Sequence, residues 1–259
     1  MHLFARYYSN HDYRFDIKAN DYAQIEYTLK SKRWILPNYL YELDILLNSE
    51  LLIKSIIIDT QKICDEGTEN ERQEYLDKVI RKIEENSNTS AYYYLVLGHY
   101  PFWSIGELGP KECMINKLRP TLHKFKVDGY FSGHDHSLQH FRDNYLDHKV
   151  DYLISGATNF VMDRPLNKDK VDPSITKFFS ESKQNQTLNC LECSGALVLA
   201  KADKNQMILK FIDTEENDLY ILSINSRRRV SNKVNSYKEN LFFLYLVNCL
   251  LIIMLLFAY

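Results

Sequence analysis

An α/β layered fold is predicted by three features of this 259-residue chain. Apolar runs of strand length alternate with segments whose apolar residues recur at helical spacing. Two of those runs open directly into Gly-His pairs, Gly98-His99 and Gly133-His134. After about residue 190 the pattern changes to short strands parted by turn residues, as in an antiparallel meander.

The elements follow in order. His2–Tyr8 reads as a short strand running toward Asn10, and Asp21–Lys32 as a helix. Leu51–Ile58 is largely apolar and ends at Asp59, which suits a strand buried on both faces. Glu69–Glu85 is charged, yet Leu76, Val79, Ile80 and Ile83 share one side, the stripe of an amphipathic helix. Tyr92–Leu97 is the next buried strand. Pro110–Phe125 sets Met114, Leu118, Leu122 and Phe125 on one helical face, and Pro120 should kink or divide that helix. Val127–Ser132 and Asp151–Ser155 are strands, while Asn167–Gln186, rich in Lys, Asp and Ser, reads as a solvated loop. Ala196–Ala200, Met207–Ile212 and Leu219–Ile224 form the meander, with turns at Asp203-Lys204-Asn205 and Glu215-Glu216-Asn217.

Composition bounds the partners. The 32 Lys and Arg nearly balance 34 Asp and Glu, so no basic stripe argues for nucleic acid, and no nucleic-acid partner is expected. The predicted organisation is a domain over 1–225, a basic linker over 226–240 and an apolar segment over 241–259. That last segment carries no charge, and a membrane helix needs about 20 mainly apolar residues, so a transmembrane helix is predicted there. Arg227, Arg228, Arg229, Lys233 and Lys238 precede it and favour a cytoplasmic flank. The sequons Asn88-Thr89-Ser90 and Asn185-Gln186-Thr187 favour a lumenal or extracellular domain instead, and that is the localisation expected. An apolar tail is also the form of a lipid-anchor signal. Met1–Asn10 lacks the apolar stretch of a secretory leader.

Chemistry concentrates at the strand mouths. Asn10, His99, His134 and His136 all stand where a strand gives way to a loop, the position at which α/β folds place ligands. Neutral imidazoles and an amide oxygen suit Zn, Fe or Mn. Open positions on such an ion would carry water whose pKa falls to about 7. His11 and Asp12 read as a pair that orients an imidazole for proton transfer. His2, His123, His140 and His148 lack this context and read as structural. Cys190 and Cys193 read as a local disulfide or free thiols.

Asn10-His11-Asp12, Gly98-His99-Tyr100-Pro101-Phe102-Trp103-Ser104-Ile105 and Gly133-His134-Asp135-His136 resemble the later motifs of the calcineurin-like metallophosphoesterases. The branch they resemble most is the purple, tartrate-resistant acid phosphatases. Ser31-Lys32-Arg33-Trp34, Leu118-Arg119-Pro120 and Ile154-Ser155-Gly156-Ala157 add to the match, which runs in register from about residue 8 to about 224. The resemblance implies a two-sheet sandwich flanked by helices. It also implies an acid phosphatase that hydrolyses phosphomonoesters with a metal-bound hydroxide at a dinuclear centre, Fe with Fe, Zn or Mn. It assigns Asn10, His99 and His134 to the divalent ion, His136 to the ferric ion and His11 to the substrate phosphate. It pairs Cys64 with Cys113 as a disulfide, which belongs to oxidising compartments.

Two departures stand out. The family's Gly-Asp-X-Gly and Gly-Asp-X-X-Tyr motifs, which supply the bridging aspartate and a tyrosine ligand, should lie upstream of Asn10. The family domain therefore reads as incomplete at its N-terminus, and the 259-residue chain alone is expected to be nearly inactive. Asp59 and Asp135 are disfavoured as substitute ligands. Leu108 stands where mammalian relatives carry a histidine near the leaving group, which passes proton donation to His11, with Glu107 as a helper and Asp12 beside it. The alternative function is a non-catalytic, membrane-anchored scaffold with protein partners, resembling the glideosome anchor proteins of parasites.

Overall fold

The computed structural model describes residues 2–8, 22–157, 161–162, 164–180, 195–228, 241–247 and 250–256. In chain order, β1 (His2–Arg6), α1 (Ala23–Lys30) and β2 (Trp34–Ile35) precede the hairpin of β3 (Tyr41–Leu47) and β4 (Glu50–Ile57). Helices α2 (Thr60–Cys64) and α3 (Glu69–Glu85) lead to β5 (Tyr93–Leu97), and α4 (Glu112–Lys117) and α5 (Arg119–Lys124) lead to β6 (Gly129–Ser132). Then come β7 (Leu138–Tyr145), β8 (His148–Ser155), β9 (Thr176–Phe179), the meander β10 (Ala196–Ala202), β11 (Gln206–Asp213) and β12 (Asp218–Asn225), and finally β13 (Leu241–Val247) and β14 (Leu250–Leu256).

The strands form two seven-stranded sheets, β12-β11-β10-β13-β14-β1-β2 and β3-β4-β5-β6-β8-β7-β9. In the second sheet β4, β5, β6 and β8 run parallel, with antiparallel strands outside them. One core fills the space between the sheets, from Leu52, Tyr93 and Leu153 to Val198, Leu209 and Phe211. A second core lies on the far face of the parallel strands, where Ile56, Val96 and Tyr130 meet Leu76, Val79 and Ile83 of α3 and Met114 and Leu122 of α4 and α5. Strands covered on both faces must be apolar throughout, and β5 is buried at every residue. The two-sheet sandwich flanked by helices is thus the architecture observed.

Local chemistry accounts for the boundaries. Helix α3 starts at a capping box, in which Thr68 Oγ1 accepts from Glu71 N–H and the Glu71 carboxylate accepts from Thr68 N–H. The predicted helix over 110–125 is divided at Leu118, with Pro120 in the first turn of α5, where its missing N–H costs nothing. The Cys64–Cys113 disulfide joins α2 to α4 at a Cα–Cα distance of 5.7 Å. Strands β2, β3, β7, β9, β13 and β14 are additions to the sequence prediction, and β9 lies within the expected 167–186 loop.

Within the expected apolar segment, the described residues 241–247 and 250–256 are β13 and β14, which pair with each other and with β10 and β1. An apolar run supports a strand as readily as a helix when no polar period sets its pitch. Among the described residues no helix is long and apolar enough to cross a membrane.

Candidate metal centre at the strand ends

The four parallel strands of the second sheet end along one edge, three of them handing a polar side chain to it and the fourth a glycine. Asp59 follows β4, His99 follows β5, His134 follows β6 and Gly156 follows β8. Asp59 is fully buried and caps α2, its Oδ1 accepting from the N–H groups of Gln61 and Lys62. A carboxylate used this way is a helix cap.

His99 is almost fully buried, and its Nε2 lies 3.0 Å from His134 Nδ1. Their rings meet edge-on at 4.8 Å, the Tyr100 ring stands 4.6 Å from His134, and Tyr7 flanks His99 at 6.1 Å. His134 adopts φ 66°, a left-handed conformation that side chains avoid. That turn is clamped by neighbours. Asp135 N–H bonds Gly133 O, Ser137 N–H bonds Asp135 O, and Met162 N–H bonds His136 O. Gly156 allows β8 to end against it, because a Cβ there would lie 1.8 Å from the Asp135 carbonyl oxygen.

Two imidazole nitrogens bound to one ion at 2.0–2.1 Å lie about 3 Å apart, so the His99–His134 pair fits two positions of a single coordination shell. Among the described residues no group of three or more His, Cys, Asp or Glu gathers into a metal shell. His136 is half-buried in the same turn, two residues from His134. Asn10, His11 and Asp12 lie outside the described residues, as do Cys190 and Cys193. Glu107, expected near the proton-donating end, accepts from Nε and Nη2 of Arg164, which ties it to the 164–167 loop. Asn167 completes that tie, its Nδ2 donating to the carbonyls of Gly106 and Glu107.

Sequence reasoning missed a polar network behind the turn. Asp135 is fully buried, and its carboxylate accepts from Ser104 Oγ, Leu108 N–H and Ser137 Oγ. Burial pushes this carboxyl up, against the three donors. The only advance sign was the Asp between two histidines, since two of its three partners, Ser104 and Leu108, lie about thirty residues upstream. The other described histidines are held differently. His123 bonds Tyr152 Oη, Asp143 and the His148 carbonyl, His140 bonds Asp151 and Tyr220 Oη, and His148 bonds the Val127 carbonyl.

No family model matches the chain. Tartrate-resistant acid phosphatase type 5 of Rattus norvegicus is 28% identical over 236 residues, covering 85% of this chain and 66% of the relative. The same enzyme of Oryctolagus cuniculus is 35% identical over 164 residues, 59% of this chain and 48% of the relative. Purple acid phosphatase 17 of Arabidopsis thaliana is 29% identical over 190 residues, 67% of this chain and 52% of the relative. The chain thus spans less than two thirds of the length of these relatives. Among solved structures, GAP50, the anchor in the inner membrane complex of Plasmodium, matches with a TM-score of 0.61 and 21% identity, over 84% of this chain and 65% of that one. Its likeness shows the fold. With two sheets flanked by helices, imidazoles at the parallel strand ends and acid phosphatases as relatives, the chain is similar in sequence and fold to the purple acid phosphatases, a branch of the calcineurin-like metallophosphoesterases.

Proposed function

We propose that this protein acts on phosphate monoesters at the strand-end site, with His99 and His134 holding a divalent metal ion. The observation that carries the reading is the 3.0 Å imidazole pair at the ends of β5 and β6, in a chain related to acid phosphatases. Asn10 is the further ligand proposed for that ion, His136 the ligand of a second, ferric ion, and His11, oriented by Asp12, the group that meets the phosphate. A divalent ion there supplies Lewis-acid polarisation of a phosphate oxygen. The chain itself orients the pair and keeps it dry. The near-complete burial of His99 and the ring of Tyr100 shield the two nitrogens from bulk water. Ligation requires neutral imidazoles, so metal affinity should fall as pH drops through the range where histidine gains a proton.

Residual hydrolysis of p-nitrophenyl phosphate by the metal-loaded chain, expected to be slow without the Gly-Asp-X-Gly and Gly-Asp-X-X-Tyr motifs, tests the reading when compared with the His99→Ala and His134→Ala variants. Phosphate release that depends on both histidines supports it, and release indifferent to them removes it. A second reading is a non-catalytic scaffold. It is favoured by the likeness to the Plasmodium anchor, and by the finding that no group of three metal-binding side chains gathers among the described residues. A protein that binds no divalent ion and releases no phosphate would fit that reading.

A further inference from the structure

Beyond the residues assigned to the site, the network behind it singles out one group. Left-handed backbone is strained for a residue with a Cβ, so His134 at φ 66° has to be held there. The Asp135 carboxylate is the best anchored group in reach. Ser104 Oγ donates to Oδ2 at 2.5 Å, Leu108 N–H to Oδ2 at 3.2 Å and Ser137 Oγ to Oδ1 at 3.1 Å.

The proton directions are determined as well. Gln139 Oε1 accepts from Ile105 N–H at 2.8 Å, which fixes the amide, so its Nε2 donates to Ser104 Oγ and Ser137 Oγ, both at 2.7 Å. Gly106 N–H adds a second donor to Ser104 Oγ at 3.0 Å. With both acceptor sites of Ser104 Oγ and one of Ser137 Oγ engaged, the two hydroxyls turn their protons to Asp135. The fit is close on both sides, since a Cβ on Gly106 would lie 2.5 Å from Asp135 Oδ1 and one on Gly156 would meet the Asp135 carbonyl.

We propose that Asp135 is a positioning residue for the His99–His134 pair. Its carboxylate, gripped by donors from the 104–108 loop and from β7's entry, holds His134 in the conformation that brings its imidazole to His99. The role rests on the reading of that pair as metal ligands, and it needs acceptor geometry, not charge. An amide can supply that geometry, with Oδ1 accepting from Ser104 and Leu108 while Nδ2 donates to Ser137 Oγ.

Two measurements on the full chain test this. Long-range 1H–15N spectra of the metal-free protein report the tautomer and bonding of each imidazole. In Asp135→Ala the His99 and His134 signals should move while those of His123, His140 and His148 stay. In Asp135→Asn all five should stay. Co2+ titration, followed by the visible d–d bands, should show affinity within about 3-fold of wild type for Asp135→Asn and at least 30-fold weaker for Asp135→Ala, with weaker bands of altered shape. Should Asp135→Ala fail to fold, Ser104→Ala, which removes one donor, should shift the same two imidazole signals and weaken Co2+ by a smaller factor. The proposal is overturned if the His99 and His134 signals ignore the loss of the donors. It is also overturned if Asp135→Asn is as damaging as Asp135→Ala, which would make the charge itself the requirement. A wild-type chain that binds no Co2+ overturns the metal reading alone, and the spectra still decide the positioning role.

Discussion

His99 and His134 stand at one end of the parallel strands and bond to each other, whereas His123, His140 and His148 are tied to carboxylates, a tyrosine and backbone carbonyls. The contrast is instructive because burial does not separate the groups, since His99, His123 and His140 are all nearly inaccessible. A carboxylate partner turns an imidazole into a brace between elements. His140 links β7 through Asp151 of β8 to Tyr220 of the opposite sheet, and Arg142 joins at Asp151. The two imidazoles at the strand ends instead face each other and set their nitrogens 3.0 Å apart in one small volume. Site and scaffold are thus distinguished by what each ring bonds, a property that composition does not carry.

The comparison can be broken first at the turn itself. Gly156→Ala would press a Cβ into the Asp135 carbonyl, where only backbone movement gives relief. It should cost on the order of 4 kcal/mol of stability and abolish metal binding together, read by denaturant unfolding and Co2+ titration. The scaffold side should respond in only one of those measurements. Asp151→Ala leaves His140 and Arg142 without their buried acceptor, and should cost about 3–5 kcal/mol while the folded protein binds Co2+ as before. Loss of metal affinity in that variant would erase the distinction between the groups.

A pH experiment sharpens the same contrast at the far end of the strands. Burial pushes the Asp128 carboxyl up to about 6, against the pull of Arg227 and the Tyr94 N–H. A raised acid destabilises the fold when ionised. The penalty is complete above about pH 6 and is relieved as pH falls from there toward the unfolded value of 3.8. Asp128→Asn keeps the acceptor for Tyr94 and should stabilise the protein at pH 7 by roughly 2 kcal/mol, with the gain fading by pH 4. A stability profile unchanged between pH 4 and 7 would contradict this account of the buried carboxyl. The smallest effect belongs to Thr68→Ala, which removes the cap of α3 and should cost about 1 kcal/mol in thermal unfolding without touching metal binding.

Much of the fold was legible wherever a segment buries one consistent face. The apolar runs before Asp59, His99 and Gly133, the stripe on α3 and the break at Pro120 all appear in the structure. β3 was missed because only alternate residues of Tyr41–Leu47 are buried, and charged Glu42 and Asp44 interrupt the run. β7 was missed because it buries Gln139, His140 and Asp143, polar residues that become tolerable only once Ser104, Asp151 and Arg119 arrive from elsewhere. The site divides the same way. The Gly-His pairs announce their imidazoles locally, whereas Asp135 acquires its role from donors on a distant loop, and Glu107 is claimed by Arg164 from another. Local pattern marks the candidate ligands, and tertiary contact decides which polar neighbours surround them.

The central claim is that His99 and His134 hold one divalent ion. Calorimetric titration of Zn2+ into the metal-free 259-residue chain, alongside His99→Ala, His134→Ala and the scaffold variant His140→Ala, tests it most directly. The account predicts a Zn2+ site in the wild type and in His140→Ala that disappears in each of the other two. Zn2+ binding that survives in His99→Ala and His134→Ala, or a folded wild type that binds none, would contradict it.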